Sequence, residues 1–164
     1  MAATSGASPP STIRTLPTSS RPAVLIDDRL LVALLLGAWA PRRRGTVHTT
    51  AYWYYRAARA AVIGGAGQLS GPFAALGSED QAAAIQAMLT LPDSIGLPDA
   101  RALVPLMVGV HARHRALNLL NLEAVATARL LGARVLLSPP AAQGLLPGVL
   151  AAEGVRWEAV AAAS

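Results

Sequence analysis

The chain has 164 residues, of which 53% are hydrophobic and 14% are charged, and its formal net charge is +5. This length suits one domain, and the apolar fraction is enough to build a sizeable core. The 14 residues counted as Lys or Arg are all arginine, which fits an anionic partner but is also typical of a GC-rich genome. Because the chain has no cysteine, disulfides, thiolate metal sites and cysteine nucleophiles are excluded.

The first elements follow an N-terminal segment without hydrophobic periodicity. Residues 1–22 are rich in Ser, Thr, Ala and Pro, so we predict a disordered tail ahead of a single domain over 23–164. The apolar run Ala23–Ile26 ends at two aspartates and predicts a buried parallel strand. A helix that is apolar on nearly all sides is predicted over Leu30–Trp39.

The early apolar run, Leu30–Ala40, also resembles a targeting segment. However, it follows Asp27 and Asp28 instead of basic residues, and Pro41 would come directly after the small-residue cleavage motif. The run is also far shorter than the roughly 20 residues that a membrane span needs. We therefore expect a cytoplasmic protein that has no membrane association.

The rest of the chain alternates between helices and short strands. The predicted helices, the last of them broken, are Ala51–Ile63, Asp80–Met88, Arg101–Arg115, Leu119–Leu131 and Ala141–Ala152. A second clear strand is predicted at Arg134–Leu137, with weaker strand signals at Ser94–Leu97 and Val155–Val160. Strands separated by helices pair in parallel, so the fold class is a helix-rich α/β protein, a three-layer α/β/α sandwich around a small parallel sheet.

A carboxylate at the end of the first strand is the leading functional signal. Ligands of open parallel sheets bind beyond the carboxyl ends of the strands, where Asp27 is expected to lie. The stretch VLIDDRLLVALL, from Val24 to Leu35, resembles the opening strand and helix of PIN-domain nucleases. In that family a metal-binding Asp ends the strand and a small polar residue often follows two positions later. Asp27 takes the first place, and Arg29 stands in the second.

A later segment carries a second resemblance to the same family. The stretch NLEAVATARLLGARVLLS, from Asn121 to Ser138, is similar to the family pattern of an Asp-initiated helix, a Leu-Gly-Ala turn and a strand. Asn121 stands where Asp is usual, Ser138 matches the Thr or Ser after the strand, and Pro140 replaces an acid. Arg56 matches an Arg that often follows the family's helical Glu, but that Glu is absent.

The resemblance implies a PIN-like fold with an incomplete two-metal site. Asp27 and Glu123 are the candidate catalytic residues, and the candidate ligands of Mg or Mn are Asp27, Asp28, Asn121 and Glu123. Two divalent ions held about 4 Å apart need more negative charge than this set offers, so we expect metal binding to be weak or absent. The candidates for binding RNA phosphates are Arg29, Arg42, Arg43, Arg44, Arg56 and Ser138.

Each candidate also has a purely structural interpretation. Asp27 and Asp28 are suited to capping a helix, Asn121 is an N-cap residue by type, and Glu123 is suited to a solvated first turn. The arginine run fits a solvated turn. The aromatic residues at 52–55 fit either base stacking or packing against a partner. A metal site at the paired histidines of 111 and 114 lacks an evident third ligand.

Three functional hypotheses follow. The leading one is a PIN-like domain that binds RNA or a partner protein and has weak or no nuclease activity. The second is an active metal-dependent ribonuclease of the toxin–antitoxin kind, with an antitoxin as its partner, which needs Glu79, Asp93 or Asp99 to reach the site. The third is a non-catalytic interaction protein that forms a homodimer through apolar helices.

Overall fold

The computed structural model describes residues 22–42, 45–64 and 69–162. Apart from Pro22, the predicted tail lies outside these residues, and so do Arg43 and Arg44. Among the described residues, no helix combines the length and the apolar character needed to cross a bilayer.

One parallel sheet forms the centre of the fold. The strands are β1 Ala23–Ile26, β2 Thr46–His48, β3 Ile95–Gly96, β4 Arg134–Leu137 and β5 Trp157–Ala159. They are arranged in the order β3-β2-β1-β4-β5, and all four pairings are parallel. The carboxyl ends of the strands therefore meet along one side of the sheet, here called the carboxyl edge.

Seven α-helices of the described residues surround the sheet. They are α1 Asp28–Leu35, α2 Ala51–Ile63, α3 Gly71–Ala74, α4 Ser78–Thr90, α5 Ala100–Arg113, α6 Leu119–Leu131 and α7 Leu146–Ala152. The predicted broken helix is confirmed, because a short 3-10 helix at Ala141–Gln143 precedes α7.

Side-chain alternation along the central strand creates two cores. In β1, Val24 and Ile26 pack in a cluster with α1, α2 and α4, while Leu25 packs in a second cluster with α5, α6 and α7. Successive strand residues point to opposite faces, so each cluster occupies one face of the sheet. The predicted three-layer α/β arrangement is confirmed.

Two local predictions need correction. Helix α1 begins at Asp28 instead of Leu30, because the Asp27 side chain caps it, and it ends at Leu35 instead of Trp39. Gly37 follows with a φ of 72°, a left-handed conformation that favours glycine and often ends helices. Strand β2 was not predicted at all, although it pairs with both β1 and β3.

Candidate functional site

Asp27 lies at the carboxyl end of β1 and is completely buried. Its Oδ1 atom accepts a hydrogen bond of 2.9 Å from the Leu30 amide, which caps α1. Its Oδ2 atom accepts hydrogen bonds of 2.7 Å from the Ser138 amide and 2.6 Å from the Ser138 hydroxyl. Since Ser138 directly follows β4, one carboxylate ties the ends of two neighbouring strands to the start of a helix.

Asp28, in the first turn of α1, has a different environment. It is buried, and burial is the main reason that the pKa of its carboxyl lies above the usual value, with the nearby Arg56 guanidinium opposing the shift. Arg56 Nη1 lies 3.1 Å from Asp28 Oδ2. The two groups are not aligned for a hydrogen bond, because Oδ2 has no hydrogen-bond partner in the described structure. The charge on Asp28 is therefore only partly compensated.

Glu123 is buried within α6 and binds the first turn of a different helix. Its Oε1 accepts a 3.0 Å hydrogen bond from the Ala51 amide, and its Oε2 accepts a 2.8 Å bond from the Tyr52 amide. The first amides of a helix have no partner within it and carry partial positive charge, so a carboxylate stabilises them. The interpretation of Glu123 as a solvated residue is wrong, because it anchors the start of α2.

Two threonines between β2 and α2 complete this part of the carboxyl edge. The buried Thr49 donates its hydroxyl to the Ile26 carbonyl at 3.1 Å and its amide to the Gly96 carbonyl at 3.0 Å. Thr50 caps α2 by accepting a 3.0 Å bond from the Trp53 amide. A threonine directly before a helix is suited to this capping role by residue type. The Thr49 bonds, which connect the ends of three strands, had no local signal.

The candidate ligands do not form a metal site. Within residues 22–42, 45–64 and 69–162, no three acidic or histidine side chains are grouped so that they could hold a metal ion. Asn118, and not Asn121, caps α6 by accepting a 2.9 Å bond from the Asn121 amide. Both Asp27 oxygens and both Glu123 oxygens already accept bonds from protein groups. The residues present therefore do not fit a pair of divalent ions.

The mid-chain acids are also engaged elsewhere or exposed. Glu79 and Asp93 are exposed, and Asp99 caps α5 by accepting a 3.0 Å bond from the Arg101 amide. The predicted arginines are spread over the molecule. Arg29 lines a cleft beside α1, whereas Arg42 precedes β2 and lines a separate cavity together with Arg134, the first residue of β4.

The aromatic run of α2 is divided between the core and the surface. Trp53 is buried, and the Tyr54 hydroxyl donates to the Leu89 carbonyl at 2.9 Å. Tyr52 and Tyr55 are 39% and 62% exposed. Residues spaced by three and four positions share one side of a helix, which places both tyrosines beside two exposed arginines. We call this surface, formed by Tyr52, Tyr55, Arg56 and Arg59, the α2 face.

A cluster around Glu153 connects the helices of the opposite layer. The Glu153 side chain is only 7% exposed and accepts bonds of 2.8 and 2.9 Å from Arg113. It also contacts Arg129 Nη1 at 2.5 Å and His114 Nε2 at 2.8 Å. The bonds from Arg113 are the main reason that the pKa of Glu153 falls to about 2. The cluster joins the end of α7 to α5 and α6. It also gives His114 a protein partner, Glu153, so a bound metal ion is not needed to explain the position of this histidine.

Comparison with known proteins gives a similarity of fold to a solved structure. No protein-family model matches the chain, and no curated protein sequence matches it significantly. The fold is similar to a chain in the 2.2 Å resolution structure of VapBC-1 from nontypeable Haemophilus influenzae, with a TM-score of 0.49 and 10% sequence identity. The similar region covers 84% of this chain and 97% of that chain. No residue role follows from a similarity at this level.

Proposed function

We propose that this chain is a PIN-like domain that binds RNA without cleaving it. The observation that carries this proposal is the Asp27 carboxylate, which accepts three hydrogen bonds from Leu30 and Ser138. Asp27 and Ser138 belong to the two segments that resemble PIN domains, one to each. Their direct contact at the carboxyl edge supports the family resemblance, and their bonding pattern supports a structural role for the acid.

The lack of cleavage follows from how the three candidate acids are used. Asp27 joins two strands and a helix, Glu123 holds the start of α2, and Asp28 faces Arg56. Hydrolysis with two metal ions requires carboxylate oxygens that are free to bind them. A cation at this place would compete with protein donors that are already well placed.

The composition of the α2 face supports RNA as the ligand. It combines two exposed tyrosines with two exposed arginines, and α2 itself contains no acidic residue. Stacking of a base on an aromatic side chain contributes about 1–3 kcal/mol, and arginines bind the phosphates between stacked bases. Since α2 begins at the carboxyl edge, this surface lies next to the residues that carry the PIN resemblance.

Fluorescence anisotropy with a labelled single-stranded RNA tests this proposal. We expect affinity to fall with salt at a log–log slope of about −0.7 for each phosphate bound. Tyr55→Ala should weaken binding, and Arg59→Gln should also flatten the salt dependence. Arg156→Gln, at an exposed arginine outside α2, is the matched control and should change neither quantity.

The same RNA, incubated with the protein and manganese, should stay intact. Cleavage that disappears in Asp27→Asn would contradict the proposal and support the metal-dependent ribonuclease. Binding that is equal in wild type, Tyr55→Ala and Arg59→Gln would show that the α2 face is not the RNA site.

A second candidate function is protein binding through the α2 face. Val62 and Ile63, at the end of the same helix, are 54% and 70% exposed, and tyrosine and arginine are enriched at protein interfaces. A second copy of the chain or an antitoxin-like protein is the partner under this hypothesis. A dimer mass in light scattering that Ile63→Glu converts to a monomer mass would favour it over RNA binding.

A further inference from the structure

A cleft with a volume of about 540 Å³ runs beside α1, and none of its lining residues belongs to α2. Its walls come from buried and half-buried residues of α1, from Leu69 and Pro72, and from the segment that follows β5. Most of the lining is apolar, and small residues such as Ala33 and Ala161 leave the space open. Clefts of about 300–1,000 Å³ are the size in which proteins bind small organic ligands.

Arg29 is the one charged residue among the described residues that line this cleft. Its side chain is half-buried, and within the described part of the chain it forms neither an ion pair nor a side-chain hydrogen bond. The adjacent Asp28 is paired with Arg56, whose charge lowers the pKa of Asp28 more than the charge of Arg29 does. A half-buried guanidinium without a carboxylate partner favours an anionic ligand.

Ser138 is the other polar residue among the described residues that line the cleft. Its hydroxyl hydrogen is already donated to Asp27, so Ser138 is not available as a donor to a ligand. Arg29 is therefore the group that can bind an anion here. A single guanidinium binds one carboxylate through two parallel hydrogen bonds. The apolar walls match an apolar ligand body, and the described lining residues include no further charged side chain that could pair with a second charge on the ligand.

We infer that this cleft binds a monocarboxylic acid with an apolar body, such as a medium-chain fatty acid. The carboxylate pairs with Arg29, and the apolar body lies against Ala33, Leu36 and Leu69. A nucleic-acid strand fits this cleft poorly, because its phosphates would meet only one cation. The inference goes beyond RNA binding and does not depend on it, since the two sites share no residue.

Isothermal titration calorimetry of the full chain with decanoate tests the inference, with decanol as the uncharged probe of equal length. We expect decanoate to bind saturably with one site per chain. Decanol should bind at least about tenfold more weakly, and Arg29→Gln should weaken decanoate binding by a similar factor. Arg59→Gln, on the α2 face, is the matched control and should leave decanoate affinity unchanged.

A second variant separates loss of the site from loss of the fold. Ala161→Leu changes an exposed residue of the cleft wall, so the chain should fold normally while decanoate binding falls. Circular dichroism checks folding for each variant. Absence of saturable decanoate binding to the wild type would overturn the inference. Equal affinity of folded Arg29→Gln and wild type would do the same. RNA binding by Arg29→Gln reports separately on the proposed function.

Discussion

Asp27 and Ser138 are separated by 111 positions in the chain and are joined through a single carboxylate oxygen. The other oxygen of Asp27 caps α1 through the Leu30 amide. An acid at the end of a central parallel strand is well placed for ligand chemistry. In this chain the same acid connects β1, β4 and α1, which makes it a structural residue.

This connection predicts a large loss of stability in Asp27→Asn. The asparagine side chain retains one acceptor oxygen, so its NH2 group must face either the Leu30 amide or the Ser138 donors. Leaving a buried donor without an acceptor costs about 1–3 kcal/mol. Urea denaturation should show this decrease in the free energy of unfolding. Asp93→Asn, at an exposed loop position, is the control and should have little effect. Equal losses in the two variants would contradict the structural role.

The neighbouring Asp28 should respond in the opposite way. Burial raises the pKa of this carboxyl in the folded protein, so its ionised form destabilises the fold at neutral pH. Asp28→Asn should therefore be at least as stable as the wild type at pH 7. Its advantage should shrink as the pH falls through the raised pKa towards the ordinary value of 3.8. Thermal unfolding measured across this pH range checks the prediction, which a destabilised variant at pH 7 would refute.

Glu123→Gln should loosen the start of α2. The glutamine oxygen can accept a bond from only one of the Ala51 and Tyr52 amides, and its NH2 group repels the other. We expect a loss of about 1–3 kcal/mol in stability. Hydrogen exchange should accelerate at these two amides in particular. Glu79→Gln, in the exposed first turn of α4, is the matched control and should leave them unchanged.

The Glu153 cluster predicts a defined acid dependence. Because the pKa of Glu153 is lowered from 4.5 to about 2, its stabilising effect is complete above pH 4.5 and is lost as the pH falls through 2. The stability difference between wild type and Glu153→Gln should therefore be constant near neutral pH and disappear at strong acidity. A difference that does not change with pH would show that the variant acts through packing instead of charge. Glu158→Gln, at a largely exposed ion pair, should show a smaller difference throughout.

Some elements have the same first and last residues in the prediction and in the structure, and their ends are marked in the local sequence. Ala23–Ile26 and Arg134–Leu137 are short, largely apolar runs that end at polar or proline-rich segments, and Leu119–Leu131 ends at a glycine. The local sequence pattern is therefore enough to predict the type and the bounds of these elements. Strand β2 was missed because Thr46–His48 contains only one strongly apolar residue, and its strand conformation depends on pairing with β1 and β3.

The site was less predictable, because its residues act over long separations in the chain. The pattern around Glu123 is that of any helical acid, and nothing local indicates its bond to an amide 71 positions away. The resemblance to PIN domains singled out Asp27 and Ser138 as important residues. It did not indicate that they would bind each other, which only the placement of β1 beside β4 determines.

We propose that the acids at the carboxyl edge stabilise the fold and do not hold metal ions. Calorimetric titration of the wild-type chain with manganese, repeated on folded Asp27→Asn, distinguishes the two roles. We predict no saturable uptake by either protein at millimolar manganese. Saturable uptake by the wild type that Asp27→Asn lacks would contradict the claim, because it would show that the Asp27 carboxylate is free to hold a cation.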